Sequence, residues 1–210
     1  MRATYVEVPG GLIRARRRMG VDIFDEMWEG ELHMTPMPSW LHQRESDALL
    51  LFFRLHWEAL GEGLVASHVG VKPPGTTDIE MDGEMVPGDY RGPDLVFLLS
   101  GHEDRVQGGC IVGPPDALIE VRSPGDETYR KFPFFHPLGV PEVIVVHRDT
   151  KAVEVYIRGR SEYDRVAPAP DGSVASRVLD TLFRTEADPA GGLPVLRLRR
   201  LRHADREGTA

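Results

Sequence analysis

Apolar residues recur along this chain in two rhythms. Over residues 40–60, Leu49, Leu50, Phe53, Leu55 and Leu60 give one broad apolar face and predict a helix, with Ser39 as N-cap and Gly61 and Gly63 ending it. Short apolar runs between chain breakers, at residues 94–99 (DLVFLL) and 117–121 (ALIEV), predict buried strands. Glu142–His147 (EVIVVH) and residues 152–158 (AVEVYIR) predict an antiparallel hairpin turned at Asp149 and Thr150. Glu31–Met34 alternates polar and apolar like a half-buried strand before Pro36 and Pro38 break it, and residues 174–183 contain a further strand. Residues 11–19 predict a short basic helix opened by Pro9 and Gly10 and stopped at Gly20, and residues 22–28 a second short helix. Residues 126–135 read as partly helical, so Pro133 must lie in a first turn or at a break. Residues 72–92 read as a loop or irregular hairpin, 103–109 as a polar loop, and the chain after Ala187 is weakly patterned.

Helix, loop, strand, strand, helix, strand, strand is the order of an α/β or α+β fold, a central mixed sheet flanked by helices. The 210 residues, 41% of them apolar, suffice for one domain with short appendages. The expected division is a helical N-terminal extension (1–25), a core domain (26–185) and a C-terminal tail (186–210). A net charge of −8 argues against a surface built to coat nucleic acid with positive potential, although the local field and bound metal ions decide the matter at a site. Cys110 is the single cysteine, which excludes an internal disulfide and a cysteine-rich zinc site. There is no apolar run of about 18 residues, and acidic Glu7 with no apolar stretch beside it does not read as a signal peptide. A cytoplasmic protein without membrane contact is expected.

Two acids stand at unusual places. Asp94 opens its strand directly after Pro93, and Glu120 lies inside the apolar run Leu118-Ile119-Glu120-Val121. A lone carboxylate in such a strand is costly unless it is paired or binds metal. If the two strands are neighbours, both carboxylates meet at one end of the sheet. Hard cations such as Mg²⁺ take one or two carboxylates together with waters and phosphate oxygens. Arg122 and Lys131 are the cations close enough in sequence to serve such a site.

Pro93-Asp94, then Ile119-Glu120-Val121, then Ser123-Pro124-Gly125-Asp126 resembles the PD…(D/E)xK arrangement of restriction-endonuclease-like nucleases. Within that superfamily the chain resembles the Uma2 family. The likeness continues through Lys131, Phe135 and residues 139–143, and reaches back to residues 28–32, 36–39 and to His42 and Gln43. It implies a restriction-endonuclease-like fold and a Mg²⁺- or Mn²⁺-dependent endonuclease acting on DNA. Asp94 and Glu120 would be metal ligands, helped by the Val121 carbonyl and by Glu31 from the first matching region. The third position of Glu120-Val121-Arg122 departs from the superfamily pattern, since arginine holds a phosphate but is a poor general base. The catalytic lysine would then be Lys131, with Arg122 in a secondary role. Many nucleases of this fold act as homodimers, and Phe132–Leu138 is a segment that either faces a partner or belongs to the core.

Each assignment has a structural alternative. Asp94 could cap a turn, Glu120 could form a structural ion pair with Arg122 or another cation, Lys131 could be solvated, and His42 with Gln43 could bond at the helix start. Asp78, Glu80, Asp82 and Glu84 lack the EF-hand pattern and read as a solvated loop. The arginines at 14, 16, 17 and 18, and those at 197, 199, 200 and 202, read as solvated basic faces. The alternative to a nuclease is a catalytically inactive protein of the same fold that serves as a nucleic-acid-binding or interaction module. A weaker alternative is a phosphodiesterase for RNA or a small nucleotide.

Overall fold

In chain order the main elements are a short helix α1 (Leu12–Met19), strands β1 (Glu26–Trp28) and β2 (Glu31–Met34), the long helix α2 (Trp40–His56), strands β3 (Gly63–Ser67), β4 (Leu95–Leu99) and β5 (Ala117–Arg122), helix α3 (Phe132–Leu138), and strands β6 (Glu142–His147), β7 (Val153–Arg158), β8 (Tyr163–Arg165), β9 (Val174–Ser176), β10 (Thr181–Glu186), β11 (Val195–Arg200) and β12 (Glu207–Thr209). The computed structural model describes residues 3–5, 11–81, 83–202 and 207–209, so Glu7, Pro9, Gly10 and Asp82 lie outside the described residues.

The buried runs form the centre of a six-stranded mixed sheet in the order β8-β7-β6-β5-β4-β3. β5 and β6 are parallel, and the other pairs are antiparallel, including the expected β6–β7 hairpin. Helices cover both faces, which is why β5 and β6 read as near-continuous apolar runs. On one face Leu49, Phe52 and Phe53 of α2, with Trp57 beyond it, pack on Phe97, Ile119 and Ile144. On the other, Phe135 of α3 meets Val96, Leu118, Val143 and Val145. Within Phe132–Leu138, Phe135 is buried and Phe132, Phe134 and Leu138 pack partly against the same cluster, and Pro133 sits in the first turn of α3, where a missing N–H costs nothing. Gly63 permits the close approach of β3, since a Cβ there would lie 2.0 Å from the Leu98 carbonyl oxygen.

The Ser39 cap on α2 is present, its hydroxyl accepting the His42 N–H at 3.3 Å. Helix α2 ends at His56, short of the expected Leu60, which lies in a separate 3₁₀ turn before Gly61, and on its buried face Leu55 points to solvent while Phe52 goes inside. Its buried residues, Glu45, Ser46, Leu49, Phe52 and Phe53, follow the 3.6-residue repeat. Residues 72–92 include a hairpin of Asp78–Met81 and Glu84–Pro87.

Two expectations are corrected. Residues 22–28 do not form a helix; Glu26–Trp28 is a buried strand paired with β2. The intervening Glu29 and Gly30 both have positive φ (51° and 88°), the geometry of a tight two-residue hairpin. The chain after Ala187 is no loose tail. β11 pairs along its whole length with β10, and Leu196 and Leu198 enter the main core. Arg200 is fully buried, donating to the His56 carbonyl and pairing with Glu62 and Asp180. It therefore leaves the solvated basic face expected of it. Leu198→Ala is expected to lower the unfolding free energy in urea titration by about 2–5 kcal/mol. Leu193→Ala, at a 49% exposed position, is expected to cost less than about 0.5 kcal/mol. Equally small losses would remove β11 from the core.

Candidate active site

The antiparallel register of β4 and β5 pairs Leu95 with Ile119 and Val96 with Leu118. Extended by one residue, it sets Asp94 opposite Glu120 at the sheet end. The Val121 N–H donates to Asp94 Oδ2 at 2.6 Å. Extended once more, it sets Pro93 opposite Val121. Proline has no N–H, so the ladder offers no donor to the Val121 carbonyl, and in an extended strand that carbonyl points to the same neighbour as the Val121 N–H.

Three further segments converge here. His42, in the first turn of α2, lies with Nε2 3.0 Å from Asp94 Oδ1 and Nδ1 3.3 Å from Ser123 Oγ. Lys131, directly before α3, places its ammonium 2.7 Å from Glu26 Oε1 and 3.1 Å from Glu120 Oε1. Glu26 of β1 also accepts the Trp28 indole N–H at 2.7 Å and the Gly92 N–H at 3.1 Å. All five side chains line one cavity of about 490 Å³. Three carboxyl groups thus surround one ammonium and one imidazole.

Burial opposes charge on Asp94, but the His42 hydrogen bond, the nearby His42 and Lys131 charges and the Val121 amide outweigh it and hold this carboxylate below its usual range. His42 is correspondingly raised: burial works against its protonation, and the bond and charge of Asp94 overcome that. Burial pushes Glu120 up to about 8; Lys131 opposes this and the charges of Asp94 and Glu26 add to it. Lys131 is itself pushed far up, because its acidic neighbours outweigh burial, so it stays an ammonium.

The metal expectation can be set against this donor set. Among the described residues no group of three or more His, Cys, Asp or Glu side chains is arranged to hold an ion. Two carboxylates completed by water and phosphate oxygens is nonetheless the set that Mg²⁺ takes, and the buried Glu120 charge lacks full compensation, so Asp94 and Glu120 fit a hard divalent cation.

The sequence profile of Uma2, described as "Putative restriction endonuclease", matches residues 22–188. The chain belongs to the Uma2 family. Its fold is shared by a crystal structure described as that of a putative nuclease belonging to DUF820 from Anabaena variabilis ATCC 29413, with a TM-score of 0.56 and 17% identity over 74% of this chain and 82% of that one. No curated protein matches the chain.

Of the residues that the Uma2 likeness pointed to, Asp94, Glu120, Val121 and Lys131 meet in the cavity. Two do not. Glu31 is exposed at the turn end of the hairpin, opposite Trp28, and Glu26 lines the cavity instead. Arg122 lies over the Tyr129 ring at 5.2 Å and approaches His147, outside the cavity lining. Glu26 escaped notice because residues 22–28 read as a helix; an acid in a buried hairpin strand beside Trp28 was its only signal.

A raised carboxyl pKa makes the charged form costly, so the Glu120 penalty is absent below about pH 4.5 and grows as pH rises toward about 8. The raised His42 adds stability below pH 6.5 that is lost above its folded pKa, in the same direction. The melting temperature of the protein in EDTA is therefore expected to fall between about pH 4.5 and about pH 8, and Glu120→Gln to flatten the fall. An unchanged profile in that variant would contradict the assignment.

Proposed function

We propose that this protein is a metal-dependent endonuclease that hydrolyses DNA phosphodiester bonds. The observation that carries the reading is the meeting of Asp94, Glu120 and Lys131, from three separate segments, in one cavity. The Uma2 description supports it. Asp94 and Glu120 hold Mg²⁺ or Mn²⁺, with the Val121 carbonyl as a further ligand. When bound, the ion lowers the pKa of water and stabilises charge on a phosphoryl oxygen.

The chain's own residues take complementary parts. His42 and the Val121 amide fix the Asp94 carboxylate, leaving its remaining lone pairs free to bind. Lys131 acts as a fixed positive charge for the nucleophile or the phosphoryl oxygens, since its carboxylate neighbours keep it protonated and unable to serve as a base. Glu26 anchors that ammonium from the other side.

The experiment is nicking of supercoiled plasmid and cleavage of single-stranded DNA in Mg²⁺, Mn²⁺ or EDTA, with wild type and Asp94→Ala side by side. Cleavage is expected in either metal, to vanish in EDTA, and to fall below detection in Asp94→Ala while the melting curve stays cooperative. Undiminished cleavage by Asp94→Ala would sink the proposal. No cleavage by either folded protein would favour the inactive, nucleic-acid-binding module.

A further inference from the structure

The walls of the cavity differ sharply from its floor. Ile23 and Met37 stand at the lining 63% and 64% exposed, although both are large and apolar. Beside them Phe24 meets His68 edge to face, with ring centroids 5.1 Å apart. His68 is itself exposed and holds a left-handed backbone (φ 55°) directly after β3. Its N–H approaches the Asp94 carbonyl oxygen at 3.4 Å. A left-handed backbone is uncommon for a residue other than glycine, and His68 lines the same cavity as the carboxylates. The floor is deep: the Lys131 and Glu120 side chains are only 4% and 5% exposed.

Duplex DNA binds by neutralising several backbone phosphates at once. Of the described residues lining this cavity, only Lys131 and Arg148 carry an ammonium or guanidinium. Lys131 is held by Glu26 and Glu120, and Arg148 by Asp149. On α1, Arg16 pairs with Asp25 and Arg17 with Asp22. Single strands are bound differently, by stacking unpaired bases on aromatic and apolar side chains with a modest electrostatic contribution.

We infer that the site takes single-stranded DNA, with an unpaired base seated on the Phe24–His68 ring pair and the Ile23–Met37 ledge, above the carboxylate floor. This rests on the nuclease reading for its choice of ligand. A paired base is not available for this contact, so single strand is bound in preference to duplex. Arg148, whose guanidinium bonds the Ser39 hydroxyl at 3.2 Å across the rim, faces the neighbouring phosphate.

The test is fluorescence anisotropy in EDTA with a labelled single strand of about 12 nucleotides and the duplex of the same sequence. His68→Gly removes the ring at a positive-φ position that glycine adopts without strain, and Ile23→Ser changes an exposed side chain, so neither should disturb the fold. Single strand is expected to bind at least roughly tenfold tighter than duplex, and each variant to weaken single-strand binding by roughly five- to a hundredfold with an unchanged melting temperature. Duplex binding as tight as single strand, no binding of either, or variants that bind like wild type would overturn the inference. Plasmid nicking without single-strand preference would leave the nuclease reading standing and remove this one. Single-strand binding that depends on His68 and Ile23, without cleavage in any metal, would do the reverse.

Discussion

A buried ammonium organises this protein. Lys131 is almost entirely enclosed, and a charge so placed is tolerable only with close partners of opposite sign. Glu26 and Glu120 are those partners, and they arrive from the β1 hairpin and from the centre of the main sheet. The chain around Lys131 is shaped to deliver it. A 3₁₀ turn, Thr128–Lys131, leads into α3, whose second residue is Pro133, and Phe135 locks that helix on the sheet. Removing the ammonium would leave two buried carboxyl groups facing each other, so the same contact that serves the chemistry also holds three segments together.

The second constraint is the register between β4 and β5. Because successive side chains alternate across a sheet, a slip of one residue would send Glu120 to the opposite face and Ile119 into the cavity. The apolar residues before Glu120 prevent it, since Leu118 and Ile119 each fill a different core cluster. Asp94 is fixed less by packing than by bonding: His42 takes one oxygen and the Val121 amide the other. The acidic floor is thus rigid on the Asp94 side and held by one ion pair on the Glu120 side. The burial that raises Glu120 makes its ionised form costly.

On the proposed reading, the apolar ledge is how a chain of net charge −8 would present a site for a single strand. Contact area with bases, not a basic face, has to supply most of the hold.

The sequence by itself determined the strands and the acids they carry. Short apolar runs specify buried strands through the transfer of their side chains from water, and an acid inside such a run, or directly after a proline, stands out against that background. Asp94 and Glu120 were legible for this reason, Lys131 as a catalytic candidate only through the Uma2 likeness, and α2 with its Ser39 cap and the β6–β7 hairpin through their periodicity and turns. Tertiary structure alone decided the rest. Glu26 became a site residue because a two-residue turn with positive φ at Glu29 folded residues 26–28 back as a strand, where local pattern favoured helix. Arg122 left the site because the Tyr129 ring and His147 offered it contacts outside the cavity. The C-terminal residues became core only because β10 supplied a paired edge for β11, letting Leu196 and Leu198 bury beside α2. In each case a partner distant in sequence provided the decisive contact, and a window of neighbouring residues carries no record of it.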